Sequence, residues 1–165
     1  MHSDSISRYL SNKIRSDLES TLFSCCPNRQ WVSAMMANLP AATDDDKLIE
    51  MATTTFMGLE SDQWLATFAT HPKIGDQTKS HQKIESKEQS GMSTAPNEIQ
   101  ENMRNLNVEY ERKFGFIYLV CATGKSGHEM VSDIRNRLLS SRKDELHKAA
   151  LEQTKITAIR LRNLV

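Results

Sequence analysis

The sequence is short of turn-formers. Only six glycines and four prolines occur in 165 residues, too few for the many tight turns of an all-β sandwich or barrel. Three cysteines is an odd count, and Cys25 and Cys26 are adjacent. Neither a disulfide framework nor the C-x-x-C spacing of a zinc knuckle is present. That usage predicts a reducing, cytoplasmic setting. Charge of one sign is missing too: 21 Lys and Arg balance 21 Asp and Glu, which argues against a nucleic-acid surface. No apolar run approaches the roughly twenty residues a membrane-spanning helix needs. Met1-His-Ser-Asp4 lacks a signal-peptide core, and Arg162-Asn-Leu-Val165 is not a peroxisomal address.

What is present reads as helices. The length suits one domain with one core. Leu10, Ile14, Leu18 and Leu22 recur at the spacing of one helical face, and Cys25-Cys-Pro-Asn28 breaks that helix. Asn28 is placed to cap the next, whose Trp31, Val32, Met35 and Met36 read as core, ending near Asn38-Leu-Pro40. Thr43 is the expected cap of a helix through Leu48, Ile49, Ala52 and Phe56 that stops at Gly58. Three aspartates, Asp44 to Asp46, follow Thr43. They suit the positive end of the helix dipole and lack EF-hand spacing. A further helix starts at Ser61 or Asp62, with Trp64, Leu65 and Phe68 inward.

Ala69-Thr-His-Pro-Lys-Ile-Gly-Asp76 ends that helix. Pro72 stiffens the chain and disfavours helical backbone at His71, and Gly75 permits a turn that other residues resist. A histidine held there is a candidate general acid or base. From spacing alone, the plainer reading is a solvated histidine at a helix C-terminus. Residues 76–83 are polar and read as an irregular stretch. A short helix over Ser86 to Ser90 is closed by Gly91, and Asn97 caps a helix carrying Ile99, Met103, Leu106, Tyr110 and Phe114.

Phe116-Ile-Tyr-Leu-Val-Cys121 is the one extended segment, rich in β-branched and aromatic residues. No second strand pairs with it, so it reads as a connector crossing the core. Its backbone groups need partners, and a polar ligand is a candidate for one. Gly124-Lys-Ser126 is not a phosphate-binding loop, because position 119 holds Leu119 where that pattern needs glycine. Ser126 instead starts a helix through Met130, Ile134, Leu138 and Leu139. The last helix covers about Lys143 to Leu164. At about 100° per residue, Leu146, Ala149, Ile156, Leu164 and Arg160 share a face. Arg160 is either a side chain reaching water at the helix end or an anion-binding group at the base of a pocket.

The motifs occur in an order that resembles the OHCU decarboxylase family: His71-Pro-Lys-Ile-Gly75, then Ser86-x-Glu-Gln89. Phe114-Gly-Phe116 follows, with Val120-Cys-Ala122 and Gly124-Lys-Ser126, and Lys155-Ile-x-x-x-Arg-Leu161 closes the series. OHCU is 2-oxo-4-hydroxy-4-carboxy-5-ureidoimidazoline, an intermediate of urate breakdown. The resemblance implies an all-α, single-domain bundle of about eight helices, one domain over residues 1–165. It implies a cofactor-free, metal-free carboxy-lyase, usually a homodimer, that binds a small molecule and neither nucleic acid nor membrane. His71, Glu88 and Arg160 match the family's catalytic positions. Pro72, Lys87, Gln89 and the run Leu119, Val120, Cys121, Ala122 and Thr123 match its substrate contacts. The family often has serine three residues before the glutamate. Here Glu85 holds that position and Ser86 lies one residue off, so both are carried as substrate contacts. Two rival readings are a metal-dependent hydrolase of a ureido compound, with His71, His81, Glu85 and Glu88 as ligands, and a non-catalytic helical interaction module.

Overall fold

The computed structural model describes residues 4–75 and 87–165. Among these residues it is all-α, with nine helices, one 3-10 turn and no strand. Two compact units are formed. One comprises Met1–Thr67 with Thr154–Val165, the other Phe68–Gln153.

The first unit contains α1 (Ser5–Ser11), α2 (Arg15–Cys25), α3 (Arg29–Asn38), the 3-10 turn Leu39–Ala41 and α4 (Asp45–Met57). It also holds nearly all of α5 (Ser61–Phe68). The leucine spacing from Leu10 to Leu22 does not make one helix. The chain breaks before Arg15, and Ile14 precedes α2 with 68% of its surface exposed. A four-residue period runs unbroken through such a break because it registers spacing and not backbone continuity.

Caps explain the other starts. Asn28 Oδ1 accepts from Trp31 N at 2.9 Å, as expected, while its Nδ2 reaches Gln63 and Thr67 of α5. The α4 cap is Asp44, one residue past the expected Thr43, with Oδ1 accepting from Lys47 N at 2.8 Å. Asp45 does separate work. Its buried carboxylate accepts from Ile6 N at 2.9 Å and Ser5 Oγ at 3.0 Å, and so satisfies the open amides that begin α1. The acidic run is thus used as helix termini. Trp31 is fully buried and gives its indole N–H to Ala52 O at 3.0 Å, which meets the need of a buried donor for a partner.

The second unit contains α6 (Ser90–Ser93), α7 (Asn97–Phe114), α8 (Gly127–Arg137) and α9 (Arg142–Arg162) as far as Gln153. Three sequence expectations shift here. Pro96, not Asn97, is the cap residue of α7, and no side chain caps that helix. Gly91 lies inside α6 instead of closing a helix. A Cβ on it would stand 1.9 Å from Lys125 O, so glycine is required for two backbones to touch. Leu139 falls beyond α8 and is 85% exposed. Ser126 does start α8, in a capping box with Glu129.

The extended segment is as expected. Phe116 and Tyr118 to Ala122 are buried without regular structure. Tyr110 packs against Phe114, Phe116 and Tyr118, with ring centroids 4.6, 5.9 and 5.5 Å away. At the polar centre of this cluster, Glu145 Oε1 accepts from Tyr110 Oη at 2.6 Å and Arg137 Nε at 2.7 Å. Arg137 Nη1 in turn donates to Leu119 O at 2.5 Å. Leu119 O therefore finds a side-chain partner where a sheet would have supplied a neighbouring strand.

Candidate active site

His71 follows α5 in a short irregular turn, with its backbone N–H bonded to Phe68 O at 3.1 Å. The turn is held at several points. Gly75 has φ +83°, a conformation glycine accepts freely. The Gln89 carboxamide bridges the turn, donating from Nε2 to Pro72 O at 3.4 Å and accepting at Oε1 from Gly75 N at 3.2 Å. Asn107 Nδ2 donates to Ile74 O at 2.9 Å, and Lys73 pairs with Glu111 at 2.8 Å. The imidazole is half-buried, and its Nε2 lies 2.6 Å from Oε1 of the fully buried Gln153.

Glu88 is half-buried and Lys87 exposed. Leu119, Val120, Cys121 and Ala122 are buried and Thr123 is exposed. Burial pushes the Cys121 thiol up, a hydrogen bond from the Thr123 backbone opposes this, and the charges of Glu152 and Glu88 add to the rise. Glu88 thus lies within electrostatic reach of the extended segment. Cys121 N donates to Glu152 Oε1 at 3.1 Å, beside Gln153 in α9. The second unit therefore gathers His71, Pro72, Gln89, Glu152 and Gln153, with Glu88 near Cys121.

Arg160 belongs to the first unit. It is only 5% exposed, so its head does not reach water at the helix end. Its Nη1 donates to Cys25 O at 3.5 Å. Its positive charge opposes the effect of burial, which pushes the Cys25 thiol up to about 11 and that of Cys26 to about 12. Glu85, Ser86 and His81 lie outside the described residues. Among the described residues no cluster of three or more His, Cys, Asp or Glu could hold a metal.

Gln153 and Glu152 escape the sequence reading, although a signal exists. Gln153 lies seven residues before Arg160, so the two share the helical face on which Arg160 stands out. Gln153, like Arg160, is a polar side chain on that otherwise apolar stripe.

The chain is thus an all-α protein with a half-buried imidazole held in a Pro- and Gly-bounded turn. Within that class, the chain belongs to the OHCU decarboxylase family, whose model matches residues 12–162. It is 28% identical over 147 residues to the "Uric acid degradation bifunctional protein TTL" of Arabidopsis thaliana, covering 85% of this chain and 45% of that protein. It is 24% identical over 149 residues to the "Uric acid degradation bifunctional protein PucL" of Bacillus subtilis, covering 90% and 30%. The chain thus spans less than half the length of these two relatives. A crystal structure of OHCU decarboxylase in the presence of (S)-allantoin superposes with TM-score 0.72 at 26% identity, covering 86% of this chain and 94% of that one.

Proposed function

We propose that this protein decarboxylates OHCU to (S)-allantoin and carbon dioxide in urate catabolism, without metal or organic cofactor. The observation that carries the reading is the anchored His71 turn, in a chain that matches the family model over residues 12–162.

The chemistry needs little from the protein. The carboxylated ring carbon of OHCU also bears a hydroxyl, and the adjacent ring carbon is doubly bonded to nitrogen. When the bond to the carboxylate breaks, its electron pair forms a double bond between the two ring carbons. The former C=N pair then moves to nitrogen, which takes a proton. Loss of the hydroxyl proton and addition of one proton to the ureido-bearing carbon complete allantoin. The substrate is its own electron sink. The protein must orient the ring, handle the hydroxyl proton and deliver a proton to one face.

His71 is the acid/base for the hydroxyl and the carbon. Glu88 orients the ureido group. Arg160 offers a planar fork for the carboxylate. Backbone groups of Leu119 to Thr123 hold ring oxygens, and Pro72, Glu85, Ser86, Lys87 and Gln89 complete the substrate contacts. The active form is a homodimer in the cytoplasm, acting on a small molecule and on neither nucleic acid nor membrane. No described helix is long and apolar enough to cross a membrane. The test supplies freshly generated OHCU and follows circular dichroism. Spontaneous decay gives racemic allantoin. The expected result is fast appearance of the (S) signal with purified protein, and a racemic product at the uncatalysed rate would end the reading.

A further inference from the structure

We propose that Gln153 is a positioning residue for His71, whose side-chain carbonyl fixes the ring orientation and assigns the proton to Nε2, leaving Nδ1 as the working nitrogen. The proposal rests on His71 being the acid/base of the reaction described above.

Gln153 is fully buried on α9, and its Oε1 lies 2.6 Å from His71 Nε2. A carboxamide oxygen only accepts, so the ring nitrogen facing it donates. In the neutral ring the lone pair then sits on Nδ1. That nitrogen takes the hydroxyl proton from substrate, and the resulting imidazolium returns a proton to the ureido-bearing carbon. Nε2–H stays bonded to Gln153 throughout, so the ring does not turn between the two transfers. The choice of amide over carboxylate is also chemically sensible. A buried carboxylate at this distance would hold the imidazole as a cation and weaken it as a base. A neutral carbonyl orients the ring and stabilises the transient cation without trapping it. Burying an amide is costly unless its polar atoms are satisfied, and contact with the imidazole helps to offset that cost.

The first measurement is ¹H–¹⁵N NMR of protein labelled at histidine nitrogens, with His71 assigned by comparison with His71→Ala. The expected signature is a slowly exchanging, downfield Nε2–H with an unprotonated Nδ1 in the neutral ring. It is absent in Gln153→Met, which keeps the volume but lacks the acceptor. Kinetics on OHCU then separate positioning from packing. Gln153→Met should lower kcat about tenfold or more with KM changed less than twofold, and should reduce the enantiomeric excess of allantoin. Gln153→Glu should restore the Nε2–H signal by supplying an acceptor again. Far-UV circular dichroism and thermal melting confirm that each variant is folded. If His71 carries its neutral-form proton on Nδ1, or if folded Gln153→Met keeps full kcat and stereochemistry, the proposal is overturned. Absence of OHCU turnover by the unaltered protein would instead overturn the functional reading, while the NMR result still decides how Gln153 and His71 pair.

Discussion

At the scale of single residues, the proposed chemistry depends on one imidazole and the groups that keep it still. His71 is restrained through its neighbours: Pro72 and Gly75 by Gln89, Ile74 by Asn107, and Lys73 by Glu111. Immobilising the turn that carries a proton donor lowers the entropy lost at the transition state. His71→Ala is expected to reduce kcat roughly 10²–10⁴-fold, the usual contribution of a positioned acid or base, while the protein stays folded with a modestly lower melting temperature, because buried Gln153 loses its imidazole contact. Wild-type activity in that variant would remove His71 from the mechanism. Much of this was legible from sequence, because Pro72 and Gly75 act on the backbone locally. The Gln153 contact was not, since it joins positions 82 residues apart and no local pattern encodes such a pairing.

At the scale of elements, caps and breaks divide the legible from the illegible. Asn28 and Ser126 were readable as caps because a cap acts within three residues. The start of α7 was harder. Proline favours the first helical position and asparagine the cap, but here Pro96 is the cap and Asn97 the first helical residue, so the local signals point the wrong way round. The break between α1 and α2 has no glycine or proline to announce it; Asp45, some forty residues on, supplies the amide partner that begins α1. The last helix misleads in another way. Its buried positions include Glu145, Glu152, Gln153, Thr154, Thr157 and Arg160, so an apolar pattern finds only part of its inner face. Gly91 carries an element-scale consequence. It lies two residues after Gln89, and Lys125 two after Thr123, so the contact between Gly91 and Lys125 sets the spacing of two segments proposed to hold substrate. Gly91→Ala is expected to cost about 1–3 kcal/mol through overpacking and to raise KM for OHCU more than it lowers kcat. Denaturant midpoints together with steady-state kinetics check both effects.

At the scale of the whole molecule, the buried acids that lose charge on folding set an alkaline limit. Burial raises Cys25 from an ordinary 9.0 to about 11 and Cys26 to about 12, and it lifts Tyr110 and Tyr118 above the usual phenol range. The folded chain therefore keeps protons that the unfolded chain releases. Above pH 9 the unfolded state binds fewer protons, so stability falls as pH rises. For each thiol the slope is about 1.4 kcal/mol per pH unit, from 9 up to about 11 for Cys25 and about 12 for Cys26. Denaturation midpoints measured from pH 7.5 to 10.5 should be flat at first and then decline. Cys25→Ser/Cys26→Ser should decline less steeply, and an unchanged slope in that variant would assign the alkaline limit to other groups. The placement of the three thiols has a further use. Two sit in one compact unit and the third in the other, and all are shielded from solvent. A chromogenic disulfide added to the native protein can react with them only when the surrounding structure opens. The sulfhydryls are therefore built-in clocks, one pair timing the breathing of the first unit and Cys121 that of the second.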